Sequence, residues 1–322
     1  FKCHTGVYYN LDESLPKDLP SVIANTKLKE DYNMNTTHMI LVDSSVAGSD
    51  VKKMSQEIEK VDGVKWVLGL DNLIGSGVPA DMLPESVTGM LKNDKYQLLM
   101  VNSTYKVATD KVNKQIEQID KIMDKYDKGA MLVGEGPLTK DLINITDTDF
   151  KRVSAVSIGI VFVIILLLFK SVTIPVILVG VIEFAIFVNM GIPFYTGTKL
   201  PFVASIVIGT IQLGATVDYA ILMTTRYQRE RSRGAGKFDA ITTAHKFSAQ
   251  SIIVSALSFF AATIGVGLYS NIDMISSLCI LMARGALISM VVVVLILPSL
   301  FMVFDKIIVK TSKGFRPSGL KS

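Results

Sequence analysis

Apolar positions divide this chain into two parts. From residue 153 onward they gather in five long runs, at about 153–169, 172–194, 201–227, 248–269 and 274–304. A helix that crosses a bilayer needs about 20 mostly apolar residues. The spacing therefore predicts five spans, the first of them short but uncharged. Pro175, Pro193, Pro201 and Pro298 fall near the ends of the runs, where a proline costs a helix little.

Before residue 150 the pattern is that of a folded α+β domain. Residues 1–35 read as polar and irregular, with Pro16 and Pro20. "HMILVDSS" reads as a strand, "SDVKKMSQEIEKVDG" as a helix and "VKWVLGL" as a second strand. A long loop with Gly75, Gly77, Pro79 and Pro84 follows. Then come a strand in "YQLLMVNS", an amphipathic helix in "VATDKVNKQIEQIDKIMDKYDKG" that stops at Gly129, and a strand in "AMLVG". The order β-α-β, β-α-β predicts a ferredoxin-like split fold.

Charge sharpens this division. Residues 1–150 hold 17 lysines and no arginine against 23 acidic residues, a net of −6. Residues 151–322 hold 16 basic and 6 acidic residues, a net of +10, and the two parts sum to the +4 of the whole chain. With 49% hydrophobic residues and a mean hydropathy of +0.42, the chain is too apolar for an ordinary soluble protein. The basic charges flank apolar runs rather than lining one polar face, so nucleic acid is not an expected partner.

Orientation follows from the short basic loops. Arg226, Arg229, Arg231, Arg233, Lys237 and Lys246 follow the third run, Lys170 marks the turn between the first two, and Lys306, Lys310, Lys313, Arg316 and Lys321 form a basic tail. Alternating spans place all of these on one side, expected to be cytoplasmic. The acidic domain is then extracytoplasmic, and a preceding span outside this sequence would carry it across. Phe238, Ile241 and Ala244 share a helical face, which reads either as a short helix on the inner membrane surface or as a solvated linker helix.

The stretch "GATVDYAILMTTRY" places Asp218 and Tyr219 inside the third run. On a helix, Ile211, Gly214, Ala215, Asp218 and Leu222 share one face, and the small residues Gly214 and Ala215 admit a close helix partner. Gln212 and Thr216 add polar groups to the same span. A carboxyl there costs about 2.5–3.5 kcal/mol to insert, which makes it a functional candidate suited to carrying protons. A structural aspartate neutralised by a fixed hydrogen bond is the alternative. Glu183 in the second run is a second relay carboxyl or a helix-packing group, with Asn189 beyond it. Arg284 in the last run reads as a side chain that snorkels to the interface, and Ser255 and Ser258 as groups that bond across helices.

Cys3 and Cys279 form no disulfide framework, and the three histidines, His4, His38 and His245, are scattered, so neither a metal nor a cofactor is implied. There is no nucleophile elbow, phosphate-binding loop or dinucleotide fingerprint, and the lone "GSG" at 75–77 carries little weight. An enzyme is not expected, and an energy source has to be an ion gradient. Sequons at Asn35, Asn102 and Asn144 fall in the outside domain.

At "GTIQLGATVDYAILMTTRYQRER" the chain resembles the resistance-nodulation-division superfamily, and within it the MMPL-type exporters. "VYYNLDESLPKDLPSV" looks like the segment after the first helix of a half, "GEGPLTKDL" like the exit of the porter domain, and "LMARGALISMVVVVLILPSLFMVFD" like the last helix of a half. The resemblance implies a helix, a porter domain and five helices, repeated twice. It implies proton-driven export of hydrophobic or amphiphilic molecules, lipids or drugs, from the plasma membrane. Asp218 and Tyr219 would then relay protons opposite an equivalent pair in the other half. On this reading the chain is one half, the carboxy-terminal one by its short basic tail. Residues 1–35 lead in from a missing helix, 36–140 form the porter domain, 141–310 the five-helix membrane domain, and 311–322 a cytoplasmic tail. An accessory or sensor protein of the same superfamily, assisting protein export or sensing sterols, is the alternative.

Overall fold

The computed structural model describes residues 6–10, 14–70, 85–312 and 314–315. Along the chain come β1 (Val7–Tyr8), α1 (Pro20–Tyr32), β2 (Thr36–Asp43), α2 (Gly48–Glu59), β3 (Val64–Leu68), α3 (Glu85–Leu91), β4 (Tyr96–Ser103), α4 (Asp110–Tyr126) and β5 (Met131–Gly134). Then follow α5 (Glu135–Phe169), α6 (Thr173–Thr196), β6 (Leu200–Pro201), α7 (Phe202–Ser232), α8 (Lys237–Tyr269) and α9 (Asp273–Thr311). The chain forms two compact units: residues 15–147, and residues 1–14 with 148–322.

In the first unit, β2, β3, β4 and β5 form one sheet in the order β3-β4-β2-β5, with every neighbouring pair antiparallel. The alternation in β2 buries Thr36, His38, Ile40 and Val42 on one face. Ile40, Val42, Leu99 and Val101 from the sheet pack against Val51, Met54 and Ile58 of α2 and Ile119 and Met123 of α4. The Thr109 hydroxyl caps α4 by accepting from the Val112 N–H at 3.3 Å. The helix stops at Tyr126, before Gly129, because the Asp127 carboxylate takes over the turn and accepts from the N–H groups of Gly129 and Asp43.

The expectation of an irregular stretch over 1–35 is corrected by α1. It starts at Pro20, a residue whose fixed φ suits the first helical turn, and ends at Asn33 in the left-handed conformation (φ 53°). It buries no side chain, so it carries no hydrophobic period that a reading of the pattern could detect. The glycine loop at 75–77 lies outside the described residues.

In the second unit, five helices are long and apolar enough to cross a membrane: α5, α6, α7, α8 and α9. Helix α9 packs against α6, α7 and α8, and α7 lies against both α6 and α8. Their shared core includes Leu178, Ile182, Ala220, Met223, Ile252, Val293 and Phe301. At one end β1 pairs in parallel with β6, and the Tyr8 hydroxyl donates to Asp273 at 2.9 Å. At the other end Ser171 meets Ser312, and the hydroxyls of Thr173 and Thr311 lie 2.7 Å apart.

The helices outrun the apolar runs, which corrects three expectations. Arg226, Arg229 and Arg231 sit in the last turns of α7, with Arg233 at its cap, not in a loop. Arg, Gln and Glu are good helix formers, and the chain breaks only at Gly234 (φ 93°). Residues 237–246 are the start of α8 rather than a separate surface helix, and they bury Ile241 and Ala244 while Phe238 stays exposed. Pro298 lies inside α9, which runs on to Thr311. The start of the tail folds back, with Phe315 fully buried against Tyr227, while Lys313 and residues 316–322 lie outside the described residues.

Candidate functional site in the helical bundle

Asp218 and Tyr219 are successive residues of α7, and the helix turns them different ways. Asp218 is exposed on the bundle surface, together with Ile211, Gly214 and Leu222, with Ala215 half-buried beside them. Among the described residues it makes no hydrogen bond or ion pair. A Cβ built on Gly214 would meet nothing within 4 Å, so none of these five helices packs closely on Gly214, while Ala215 borders a small gap shared with Phe259 and Met282. Tyr219 is only 6% exposed and turns inward, lining a small gap with Gln212, Thr216, Phe259, Met282 and Ala286. Glu183 is half-buried on α6 and forms no hydrogen bond with Asp218.

Behind Tyr219 lies a buried polar network that joins α6, α7 and α9. The Asn189 amide donates to Gln212 Oε1 at 2.9 Å and to the Leu281 carbonyl at 3.1 Å. Gln212 Nε2 donates to Ser289 Oγ at 3.0 Å, and Thr216 Oγ1 lies 3.0 Å from the same Ser289 oxygen. Thr216 also donates to the Gln212 carbonyl. Gly285 makes this approach possible: a Cβ there would fall 2.7 Å from Asn189 Nδ2 and 2.8 Å from Gln212 Oε1.

Arg284 completes the network, held by α6 rather than reaching out alone. Its Nε donates to Asn189 Oδ1 at 2.8 Å, and its Nη2 to the Asn189 main-chain carbonyl at 2.9 Å. That carbonyl is available because its helical partner four residues on would be Pro193, which has no N–H. The freed acceptor, inside an apolar bundle, takes the guanidinium instead. Ser258 bonds the Val254 carbonyl of its own helix rather than reaching across to another.

A second polar cluster sits at the opposite end of α7 and α9. Asp305, 7% exposed, accepts from the Tyr227 hydroxyl and from Arg231 at 3.1 Å (Nε) and 3.0 Å (Nη2). Tyr227 stacks on Phe301. The sequence reading missed Asp305 and Ser289, whose only signal was a polar residue within or at the edge of an apolar run. No group of three or more His, Cys, Asp and Glu side chains suited to a metal occurs among the described residues.

Five apolar helices with carboxyl, amide and guanidinium groups set within them define a multi-pass membrane protein. The chain matches the MMPL family over residues 15–316, and it belongs to that family, a family of transporters of the resistance-nodulation-division type. It is 24% identical over 274 residues to the membrane protein YdgH of Bacillus subtilis, covering 78% of this chain and 28% of that protein. It is 23% identical over 280 residues to "Probable transport protein MmpL1" of Mycobacterium tuberculosis, covering 78% of this chain and 27% of the relative. The chain thus spans less than a third of the length of these two relatives. In fold it is similar to the crystal structure of a heavy metal efflux pump, with a TM-score of 0.51 and 12% identity, over 85% of this chain and 35% of that one.

Proposed function

We propose that this chain is one half of a proton-driven exporter of hydrophobic or amphiphilic molecules, and that Asp218 relays the protons. The observation that carries this reading is the position of Asp218. It is an acid in an apolar span, unpartnered among the described residues and exposed beside Gly214, on which none of the described helices packs. A carboxylate so placed is costly unless a partner surface covers it or its charge is transiently neutralised. The second half of the transporter supplies that surface, and a proton supplies the neutralisation. Tyr219, turned inward, lines the same small gap as Gln212 and Thr216, and a change of charge at Asp218 reaches those two residues through α7 itself.

The unit of residues 15–147 is the extracytoplasmic, ferredoxin-like porter module on this reading. The strand order β3-β4-β2-β5 and the two crossovers through α2 and α4 support it. The end of the bundle that holds Lys170, Arg226, Arg229, Lys237, Lys306 and Lys310 is the cytoplasmic one, by the bias of basic residues toward that side. The test is Asp218→Asn in the native-length protein. Export falls to background while membrane abundance stays that of the wild type. Unchanged export would remove Asp218 from the mechanism.

A further inference from the structure

Arg284 carries a charge that no acidic side chain pairs with among the described residues. Among the described residues it forms no ion pair, and its only bonds are the two to Asn189. A guanidinium has five N–H donors. Nε and Nη2 use the side edge of the group on Asn189 Oδ1 and the Asn189 carbonyl. The end edge, with the remaining Nη1 and Nη2 protons, stays free. That edge has the spacing that grips a carboxylate or phosphate through two parallel bonds.

The depth of Arg284 indicates which anion can reach it. It lies 11 residues after Asp273, at the start of α9, and 21 residues before Asp305. At about 1.5 Å per residue, Arg284 and Asp305 are about 31 Å apart. The hydrocarbon core of a bilayer is about 30 Å thick. With the Asp305–Arg231–Tyr227 cluster at one boundary, Arg284 lies at the other, level with lipid headgroups. It is half-buried, so its free edge is not sealed inside the bundle. Anchoring by Asn189 fixes the guanidinium before any ligand arrives and lowers the ordering cost of binding.

We propose that Arg284, held by Asn189 and the Pro193-freed carbonyl, is a binding site for the anionic head of an amphiphile, a phosphate or carboxylate, at the bilayer boundary opposite the basic helix ends. The inference rests on α9 spanning the membrane and not on proton relay. Asp218→Asn therefore leaves this binding intact, whatever it does to export.

Native mass spectrometry of the chain in non-ionic detergent tests it, with phosphatidylglycerol, phosphatidylcholine or inorganic phosphate added. Phosphatidylglycerol is expected to bind about tenfold more tightly than phosphatidylcholine, a difference of about 1.4 kcal/mol. Arg284→Gln, which keeps an amide donor for Asn189, is expected to abolish the preference without lowering the melting temperature in phosphatidylcholine. Displacement of phosphatidylglycerol by millimolar inorganic phosphate would assign the site to the bare oxyanion, and no displacement to the intact lipid; either result supports an anion at Arg284. Equal preference in wild type and Arg284→Gln overturns the proposal. Should the variant not fold, photoactivatable phosphatidylglycerol on the wild type decides. Adducts on residues 189–196 and 277–288 support the site, and adducts confined to the helix ends near Lys306 and Arg226 overturn it.

Discussion

Arg231 grips Asp305 through two nitrogens, Nε to Oδ1 at 3.1 Å and Nη2 to Oδ2 at 3.0 Å, and so ties the last turn of α7 to the last third of α9. The side chains are 18% and 9% exposed, so water screens the pair little. Removing one partner strands a nearly buried charge. Asp305→Ala leaves both Arg231 and the Tyr227 hydroxyl without their acceptor, and is expected to cost about 3 kcal/mol. Asp305→Asn keeps an acceptor for Tyr227 and costs less. Thermal unfolding of the two variants in one detergent checks the order.

Gly285 carries a sharper prediction. A methyl group there meets Asn189 Nδ2 at 2.7 Å and Gln212 Oε1 at 2.8 Å, two atoms that bond each other. Neither can retreat without giving up a buried hydrogen bond. Gly285→Ala is expected to destabilise the bundle by about 1–3 kcal/mol, although alanine is the better helix former. Gly180 has open space around it, so Gly180→Ala is the matched control and is expected to be neutral or stabilising. Melting temperatures of the pair distinguish a packing effect from helix propensity.

The α+β unit is expected to weaken in acid. His38 is fully buried on β2, with Nε2 3.3 Å from Gln115 Oε1 and Nδ1 without a partner among the described residues. Burial disfavours its charged form and holds its pKa below the ordinary value, an effect that the Gln115 bond only partly offsets. The unfolded chain titrates near pH 6.5. Below that pH it binds a proton that the folded domain refuses. The stability is therefore present above about pH 6.5 and is lost progressively as the pH falls. Hydrogen exchange in β2 and β4 at pH 7.5 and pH 5 measures this, and His38→Leu is expected to flatten the difference.

The elements that bury a regular face were legible in the sequence. The alternation of β2 and the five apolar runs announce themselves, because hydrophobic period and burial have the same cause. Helix α1 was not legible, since it buries nothing. The continuation of α7 through Arg226, Arg229 and Arg231 was hidden because those residues favour helix without being apolar. At the candidate site, Asp218 stood out as a charge in an apolar run. The bond from Arg284 to Asn189 did not, because it depends on which turn of α6 faces which turn of α9 and on a carbonyl freed by Pro193. Gly285 likewise shows its purpose only once Asn189 and Gln212 converge on it.

Asp218 is the centre of the functional account, and proton flux tests it most directly. The native-length protein would be placed in vesicles holding a pH-sensitive dye, with a pH gradient imposed and a hydrophobic cargo added. The account predicts cargo-dependent proton movement in the wild type and flux at the level of empty vesicles in Asp218→Asn, with equal protein incorporated. Cargo-dependent flux of wild-type size in Asp218→Asn would contradict it.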